Sequence, residues 1–265
     1  MREKRRVWPC CLTIAGSDSG GNAGVQADLR AFHAYKLHGC TVFTALTAQN
    51  PNGVYAINEI APDFVGAQLN AVLGTYSIAA LKTGMLGSAD VVEAVVDRLK
   101  AYPAIAKVVD PVMVATSGAE LAGAATRKAM EERLLPLATL ITPNIPEAEA
   151  LSGRTIVSPR DVREAAKRLY GKFGAAVLIK GGHRTRDTGD AEDILFDGRE
   201  YSSFSLPQIE NPISTHGTGC TLSAAIAAEL ALGHSLKDAV KGAKAYVHQA
   251  IRKSYLVGEN CGVLH

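Results

Sequence analysis

The strongest chemical signal in the sequence is a glycine-rich segment, THGTGCTLSAA, at residues 215–225. A Gly-rich turn followed by small residues predicts a helix that begins near Cys220. The N–H groups from Gly217 to Cys220 would have no partners within that helix, and the helix dipole would favour an anion beside them. The segment therefore predicts an anion-binding site, although a helix that simply starts at a Gly-rich turn fits the same pattern.

Cys220 is the residue of this segment that could move a proton. A thiol in the first turn of a helix is expected to ionise more readily than a free thiol, so Cys220 is a candidate proton acceptor beside the anion. The other four cysteines are predicted to be packing residues: Cys10, Cys11, Cys40 and Cys261. Five scattered cysteines suit neither a disulfide framework nor a zinc site, and they favour a reducing cytoplasmic location.

A second Gly-rich segment, AGSDSGGNAGVQADL at residues 15–29, follows the first predicted strand. It places Asp28 about one turn inside a helix, where the carboxylate could reach a polar ligand. An exposed Asp28 paired with a nearby Lys or Arg is the alternative. The segment lacks G-x-G-x-x-G, and the chain contains no P-loop motif, so neither a Rossmann oxidoreductase nor a P-loop enzyme is supported.

Polar residues follow three further predicted strands, in VDPVM, TPNIPE and IKGGH. In an open parallel sheet ligands bind at the carboxyl ends of the strands, so these groups should converge on one crevice. Asn144 and Glu147 could hold a hydrated Mg²⁺, or they could form a helix N-cap with a first-turn acid. Lys180 could meet a phosphate. Asp110 is either a second acid beside the metal or a turn residue.

The elements that must position these residues alternate between strand and helix, which predicts an α/β fold with a doubly wound, mostly parallel open sheet and helices on both faces. Two alternating runs about Asp197-Gly198, in residues 193–206, predict an antiparallel hairpin at the sheet edge. Two closing helices are predicted near Cys220–Leu232 and Leu236–Ser254. The other predicted strands are Cys10–Ala15, Thr41–Leu46, Ala79–Thr83, Lys107–Asp110, Leu140–Thr142 and Ala176–Lys180. The other predicted helices lie near Val25–Leu37, Pro62–Gly74, Ala89–Ala101, Ala124–Leu135 and Ser158–Phe173.

Charge and composition exclude two classes of function. The 265 residues include 28 basic and 26 acidic side chains, but the leader MREKRR holds four of the basic ones and one acidic one. The rest of the chain is therefore close to neutral and has no basic stripe for nucleic acid. Its longest uncharged stretch is interrupted by polar residues and glycine, which argues against a membrane span. Residues 1–8 are expected to be a disordered leader, and residues 9–265 a single domain.

Taken together, the motifs resemble those of the ribokinase-like family, and within it the hydroxymethylpyrimidine and phosphomethylpyrimidine kinases of thiamine biosynthesis. The resemblance covers about Leu12 to Ile251. It is carried by the order and spacing of seven motifs: LTIAGSDSGGNAGVQADL, TALTAQN, LKTGML, VVDPVM, ITPNIPEA, IKGGH and THGTGCTLSAA. The first loop departs from the family pattern, because Gly20 and Asn22 stand at usual Ser and Gly positions. Asn tolerates positive φ better than other non-Gly residues, so the turn is expected to survive.

The resemblance implies ATP-dependent phosphorylation of 4-amino-5-hydroxymethyl-2-methylpyrimidine and of its monophosphate. It implies a pyrimidine pocket formed by Gly16, Asp28, Gln49, Met85 and Val112. It also implies that ATP phosphates and Mg²⁺ meet Asn144, Glu147, Lys180, Thr218 and Gly219. Cys220 stands where sugar kinases of the wider family carry an Asp base, and a homodimer is expected from the family.

Two other functions compete with this hypothesis. A pyridoxal kinase has the same fold and can use a similar Gly-x-Gly-Cys turn, but Gln49 within TAQN favours the pyrimidine. A catalytically silent ligand-binding or regulatory domain would be expected to have lost the Gly217–Cys220 turn, Lys180 or Glu147. All of these residues are present.

Overall fold

The computed structural model describes residues 8–114, 121–181, 190–257 and 261–264. Of the predicted leader, only Trp8 is among them. The described residues build a nine-stranded sheet with strand order β3-β2-β1-β4-β5-β6-β7-β8-β9. Its strands are β1 (Cys10–Asp18), β2 (His38–Asn50), β3 (Gly53–Glu59), β4 (Ile78–Thr83), β5 (Ala106–Val109), β6 (Leu140–Ile141), β7 (Ala176–Lys180), β8 (Asp190–Phe196) and β9 (Tyr201–Pro207).

Helices follow most of the parallel strands, as the alternating pattern predicts. Several begin at side-chain caps: the Ser88 and Ser235 hydroxyls each accept a first-turn N–H, and Ser158 forms a capping box with Asp161. The helices are α1 (Gly24–Ala34), α2 (Pro62–Leu73), α3 (Ala89–Leu99), α4 (Ala124–Ala129), α5 (Ile145–Ser152), α6 (Pro159–Phe173), α7 (Thr218–Ala231) and α8 (Leu236–Arg252).

The centre of the sheet is parallel and its two edges are antiparallel. Strand β1 pairs in parallel with both β2 and β4, and the parallel pairing continues through β5 and β6 to β7. Helices α1, α7 and α8 pack on one face, and α2 to α6 on the other, so β1 is buried along most of its length. The strand order reverses between β1 and β4, which is where open α/β sheets bind ligands.

The predicted edge hairpin is confirmed, as β8 and β9 pair antiparallel and extend the sheet beyond β7. A second hairpin at the opposite edge, β2 with β3, was not expected. Because β3 is an exposed edge strand, it lacks the alternation of buried and exposed side chains by which sequence patterns indicate strands. A small antiparallel pair, β10 (Tyr255–Val257) with β11 (Cys261–Val263), also went unpredicted.

The helix predicted at residues 124–135 is present but irregular. Helix α4 continues into a π-helical turn at Met130–Leu134, and a short 3₁₀ turn that contains Pro136 ends the segment. Pro136 has no N–H, so it cannot donate an i-to-i−4 hydrogen bond in this last turn. No helix within the described residues is both long enough and apolar enough to cross a membrane.

Candidate active site

A cavity of about 380 Å³ opens at the carboxyl ends of the central strands. Every residue that the sequence analysis assigned to the site lines it, with the exception of Asp28. The lining residues from that set are Gly16, Gln49, Met85, Asp110, Val112, Asn144, Glu147, Lys180, Gly217, Thr218, Gly219 and Cys220. The convergence follows from the parallel sheet, because neighbouring parallel strands end at the same edge.

One end of the cavity holds the residues expected to bind a pyrimidine. Gly16 brings the β1 backbone close to Met85, since a Cβ at Gly16 would lie 3.4 Å from the methionine sulfur. Gln49 ends near the rim on β2, where Thr47 Oγ1 lies 3.2 Å from its Oε1. Gln49 lines the cavity, so its amide offers a hydrogen-bonding group of both donor and acceptor type there.

Asp28 lies beneath this pocket rather than in its wall. The side chain is fully buried, and both carboxylate oxygens accept hydrogen bonds from Lys82 Nζ, at 2.8 and 2.9 Å. Thr13 Oγ1 donates a third, at 2.6 Å. The structure therefore corrects the expected direct contact between Asp28 and a ligand, and equally the alternative of an exposed surface Asp28.

Lys82 is the cation that sequence reasoning missed. It is fully buried and lies on β4, and it lines the cavity floor. Burial alone would lower the pKa of Lys82, but Asp28, Cys220 and Asp110 raise it, and the net shift is upward. The sequence does contain a signal for this pair, namely a Lys between Leu81 and Thr83 in an otherwise apolar strand. A Lys buried in such a strand needs a buried carboxylate as its partner.

The segment at Gly217–Cys220 forms the expected helix start. Gly217 is the N-cap of α7 and has a left-handed φ of 81°. A Cβ at Gly217 would overlap the Asn22 carbonyl oxygen, so only glycine lets the two Gly-rich loops pack together. The N–H groups of Gly219 and Cys220 lie in the first turn, where the carbonyl four residues earlier is not part of the helix. They are therefore available to an anion. Thr218 turns its hydroxyl back to the Thr215 carbonyl, at 3.0 Å.

The expectation that Cys220 ionises more readily than a free thiol is wrong. Burial raises the pKa of the Cys220 thiol above its ordinary value, and the nearby carboxylates of Asp28 and Asp110 raise it further. Lys82 and a backbone hydrogen bond from Gly24 lower the pKa, but they do not compensate. The net shift of the pKa is therefore upward, and the thiol form dominates.

Asp110 and Lys180 form the polar centre of the other end of the cavity. Lys180 Nζ lies 2.8 Å from Asp110 Oδ1, and Asp110 also accepts hydrogen bonds from Thr142 and Ser223. Burial lowers the pKa of Lys180, but Asp110 and Glu147 raise it by more. A Cβ on Gly219 would lie 3.5 Å from Lys180 Nζ, so the amine faces the start of α7.

Asn144 and Glu147 form a capping box at the start of α5. The Asn144 side-chain oxygen accepts the Glu147 N–H at 2.9 Å, and Glu147 Oε2 accepts the Asn144 N–H at 2.8 Å. The helix-cap alternative is therefore the observed one. Its two hydrogen bonds use one oxygen of each side chain. Burial raises the pKa of Glu147 to about 7; Lys180 opposes this shift and Asp110 adds to it.

The carboxylates of Asp110 and Glu147 suit Mg²⁺ held through water. Their oxygens already accept hydrogen bonds from the protein, which leaves limited room for direct coordination. Mg²⁺ keeps several waters and binds few protein ligands, so indirect contact fits the ion. The residues with described side chains contain no group of three or more His, Cys, Asp or Glu suited to a metal.

The first Gly-rich loop is organised by Asp18, another residue that sequence reasoning missed. Its carboxylate accepts N–H groups from Gly20, Asn22 and Ala23 at 2.8 to 2.9 Å. Positive φ falls on the neighbouring glycines Gly21 and Gly24 and not on Asn22. The tolerance of Asn for positive φ is therefore not what preserves this loop; the Asp18 carboxylate holds it.

The phosphomethylpyrimidine kinase family profile matches residues 18–265. A hydroxymethylpyrimidine/phosphomethylpyrimidine kinase of Haemophilus influenzae is 46% identical over 254 residues, which cover 95% of this chain and 94% of that protein. The chain belongs to the phosphomethylpyrimidine kinase family. A thiamine biosynthesis bifunctional protein of Geobacter sulfurreducens is 47% identical over 95% of this chain. The chain spans about half, 51%, of the length of that bifunctional relative.

Members of this family share their fold with pyridoxal kinases. The ADP complex of Bacillus subtilis pyridoxal kinase superposes with a TM-score of 0.88 at 37% identity, over 97% of each chain. This similarity confirms the predicted ribokinase-like α/β fold. The similarity to a pyridoxal kinase shows the fold, and the substrate has to be argued from the pocket side chains.

Proposed function

We propose that this chain catalyses the ATP-dependent phosphorylation of 4-amino-5-hydroxymethyl-2-methylpyrimidine, and then of its monophosphate to the diphosphate. The observation that carries the proposal is the convergence of two half-sites in one cavity. An amide and apolar pocket at Gly16, Gln49 and Met85 faces a phosphate site formed by Lys180 and the start of α7.

The pyrimidine would be recognised by the rim and walls of the first half-site. The Gln49 amide can donate to a ring nitrogen and accept from the amino group, while Met85 and Val112 contact the ring faces. Asp28 would act through Lys82, by holding the floor of the pocket in place, and not by touching the substrate.

Phosphoryl transfer needs little from the protein beyond positioning and charge. The hydroxymethyl oxygen would attack the γ-phosphorus of ATP, and the bond from that phosphorus to the β,γ-bridging oxygen would break to release ADP. Lys180 and the N–H groups of Gly219 and Cys220 would hold the transferring group, as donors preorganised for its charge. Thr218 and Asn144 would border the ATP phosphates.

Cys220 would receive the hydroxyl proton in the first phosphorylation. Its raised pKa keeps most of the population as thiol, but the thiolate that forms is a correspondingly stronger base. A loose transition state lowers the demand on this group, since proton transfer then runs late in the reaction. The metal ion would neutralise charge on the ATP phosphates, with Glu147 and Asp110 holding its waters.

The decisive test is a substrate comparison with purified protein and Mg·ATP. The hydroxymethylpyrimidine, its monophosphate and pyridoxal would each be supplied alone, and ADP release and phosphorylated product would be followed. We expect kcat/KM to be highest for the pyrimidine alcohol, with measurable turnover of the monophosphate. Preference for pyridoxal would establish the alternative supported by the pyridoxal kinase fold, and no turnover of any substrate would support the silent-domain alternative.

We further propose a homodimer in a reducing, cytoplasmic location. Strand β3 is an exposed sheet edge that presents Tyr55 and Ile57 to solvent, which is a surface that a second copy would cover. All five cysteines are free, as a reducing compartment requires. Sedimentation velocity should give a dimer for the natural chain and a monomer for Tyr55→Glu. A natural chain that sediments as a monomer at micromolar concentration would contradict this assembly.

A further inference from the structure

A third buried Asp–Lys pair, Asp193 with Lys244, lines the cavity on the side of β8 and α8. The Lys244 Nζ lies 2.6 Å from Asp193 Oδ2. Neither residue has a part in the phosphoryl transfer proposed above. Burial of a carboxylate is costly unless all of its partners are in place, so the contacts of the other Asp193 oxygen show what the pair is for.

The second oxygen of Asp193 holds the end of β7. Oδ1 accepts the Gly181 N–H at 2.9 Å, and Gly181 directly follows Lys180 in the chain. Lys180 and Asp193 are themselves partners in the register of β7 with β8. A Cβ at Gly181 would overlap the Glu192 carbonyl oxygen, so only glycine lets the backbone come close enough to β8 for this bond.

The backbone that carries Lys180 is thereby fixed on both sides. The Lys180 N–H donates to the Pro143 carbonyl oxygen at 2.9 Å, and the next N–H, that of Gly181, donates to Asp193. The Lys180 amine, which lies 2.8 Å from Asp110 Oδ1, therefore extends from an anchored backbone. Such anchoring matters for group transfer, because a misplacement of about 1 Å can lower the rate by about 10²-fold.

The two contacts explain why the holding group is an acid. Asp193 accepts two donors at once, one on each oxygen. An Asn there would have one acceptor oxygen, and its NH₂ group would face the other donor. Lys244 supplies the positive charge that the buried carboxylate needs. Asp193 thus joins α8 to the end of β7 through one ion pair and one hydrogen bond.

We propose that Asp193 is a positioning residue that sets the place of the Lys180 amine for phosphoryl transfer. The inference deepens the proposed function and rests on the role given to Lys180 there. Asp193 would act through the backbone at Gly181 and touch neither substrate. Its replacement should therefore lower kcat and leave the KM of the pyrimidine alcohol nearly unchanged.

A double-mutant cycle with Lys180→Met tests this role. Asp193→Asn should lower kcat for the alcohol by about 10- to 100-fold, because the end of β7 is released. In the Lys180→Met background the same substitution should change kcat by less than about twofold, because no amine remains to be positioned. Equal losses in the two backgrounds would overturn the inference, since Asp193 would then act independently of Lys180. Asp238→Asn, at the exposed start of α8, is the matched control and should change neither background.

A second variant separates the Gly181 hydrogen bond from the ion pair. In Asp193→Asn the amide oxygen should turn to the charged Lys244 amine, since charge-assisted hydrogen bonds are the stronger ones. Adding Lys244→Met frees that oxygen for the Gly181 N–H, so kcat should rise at least about threefold above that of Asp193→Asn. No such recovery would assign the effect to Lys244 and overturn the inference. Urea denaturation checks that each variant is folded under the assay conditions.

Nucleotide binding without the alcohol separates this inference from the proposed function, because it needs no turnover. Lys180 would hold the γ-phosphate, which the ATP analogue AMP-PCP retains and ADP lacks. By calorimetry, Asp193→Asn should weaken AMP-PCP binding by at least about threefold and ADP binding by less than about twofold. Equal weakening of both nucleotides, or an unchanged Kd for AMP-PCP, would overturn the inference. Failure of the natural chain to phosphorylate either pyrimidine, with this difference between the nucleotides intact, would contradict the proposed function instead.

Discussion

Two of the buried Asp–Lys pairs in the described part of the molecule have the same closest N–O distance and differ in their exposure to the cavity. The Asp28–Lys82 pair has a closest N–O distance of 2.8 Å and no exposed side-chain surface, and the Asp110–Lys180 pair has the same distance with 14% of the lysine exposed. In the first pair the two charges interact with each other and stabilise the fold, and neither side chain has exposed surface. In the second, the amine retains a face that can meet a phosphate. If Lys180 has the proposed role, burial and not pairing separates the structural charge from the functional one.

Removal of Lys82 should produce the largest effect, and it should be on stability. Lys82→Met leaves the Asp28 carboxylate buried with only Thr13 as a partner, so the free energy of unfolding should fall by about 3–5 kcal/mol. Urea denaturation measures the change. The double variant Asp28→Leu with Lys82→Met should recover most of it, because no unpaired charge remains.

A matched control for this variant is Lys100→Met. Lys100 pairs with Asp97 on the exposed surface of the molecule, so its loss should change stability by less than about 1 kcal/mol. If Lys82→Met were as mild as Lys100→Met, the view of Asp28–Lys82 as a structural pair would be wrong.

Removal of Lys180 should instead damage activity. Lys180→Met should lower kcat/KM for the pyrimidine alcohol by about 10²- to 10³-fold, the usual effect of losing one donor to a developing anion. Stability should fall less than in Lys82→Met, because Thr142 and Ser223 still donate to Asp110. Steady-state kinetics and urea denaturation of the same preparations check both parts. A Lys180→Met enzyme with near-normal turnover would remove the functional distinction between the two pairs.

Cys220 interacts electrostatically with both lysines, and its replacement tests whether it accepts the proton of the alcohol. Cys220→Ala should slow phosphorylation of the alcohol by about 100-fold, at the lower end of the range for a general base. The monophosphate needs no such base, since its second pKa is about 6 and the attacking oxygen is already ionised. Its turnover should change by less than about threefold. Near-normal kcat for the alcohol with intact binding would exclude the base role.

The smallest effect per measured condition is a pH dependence of stability from Glu147, which lies beside the second pair. Glu147 has its pKa raised from an ordinary 4.5 to about 7 by burial beside Asp110. Between these values the folded chain binds more protons than the unfolded chain, so this group lowers stability as pH rises. Relative to Glu147→Gln, the natural chain should lose at most about 1.4 kcal/mol per pH unit between pH 4.5 and 7. Urea midpoints over that range measure it, and parallel curves for the two proteins would contradict the shift.

Much of this site could be predicted because it lies where strands end. Lys180 ends one apolar strand and Asn144 follows another. Parallel pairing brings the ends of neighbouring strands to one edge of the sheet, regardless of which side chains they carry. The edge strand β3 was not predictable in the same way, because its exposed side chains show no alternation. The capping box at Asn144 and Glu147 was one of two alternatives that share the same spacing, and only the hydrogen bonds distinguish them.

The sequence by itself determined the order of elements, the location of the two Gly-rich turns and the family to which the chain belongs. These features depend on local periodicity, on glycine at positions where a side chain would clash and on motif order. The tertiary structure alone decided that Asp28 faces inward to Lys82 and that Cys220 is desolvated. Each of those outcomes depends on what lies across the sheet or the loop from the residue, because burial and charge pairing join positions that are distant along the chain.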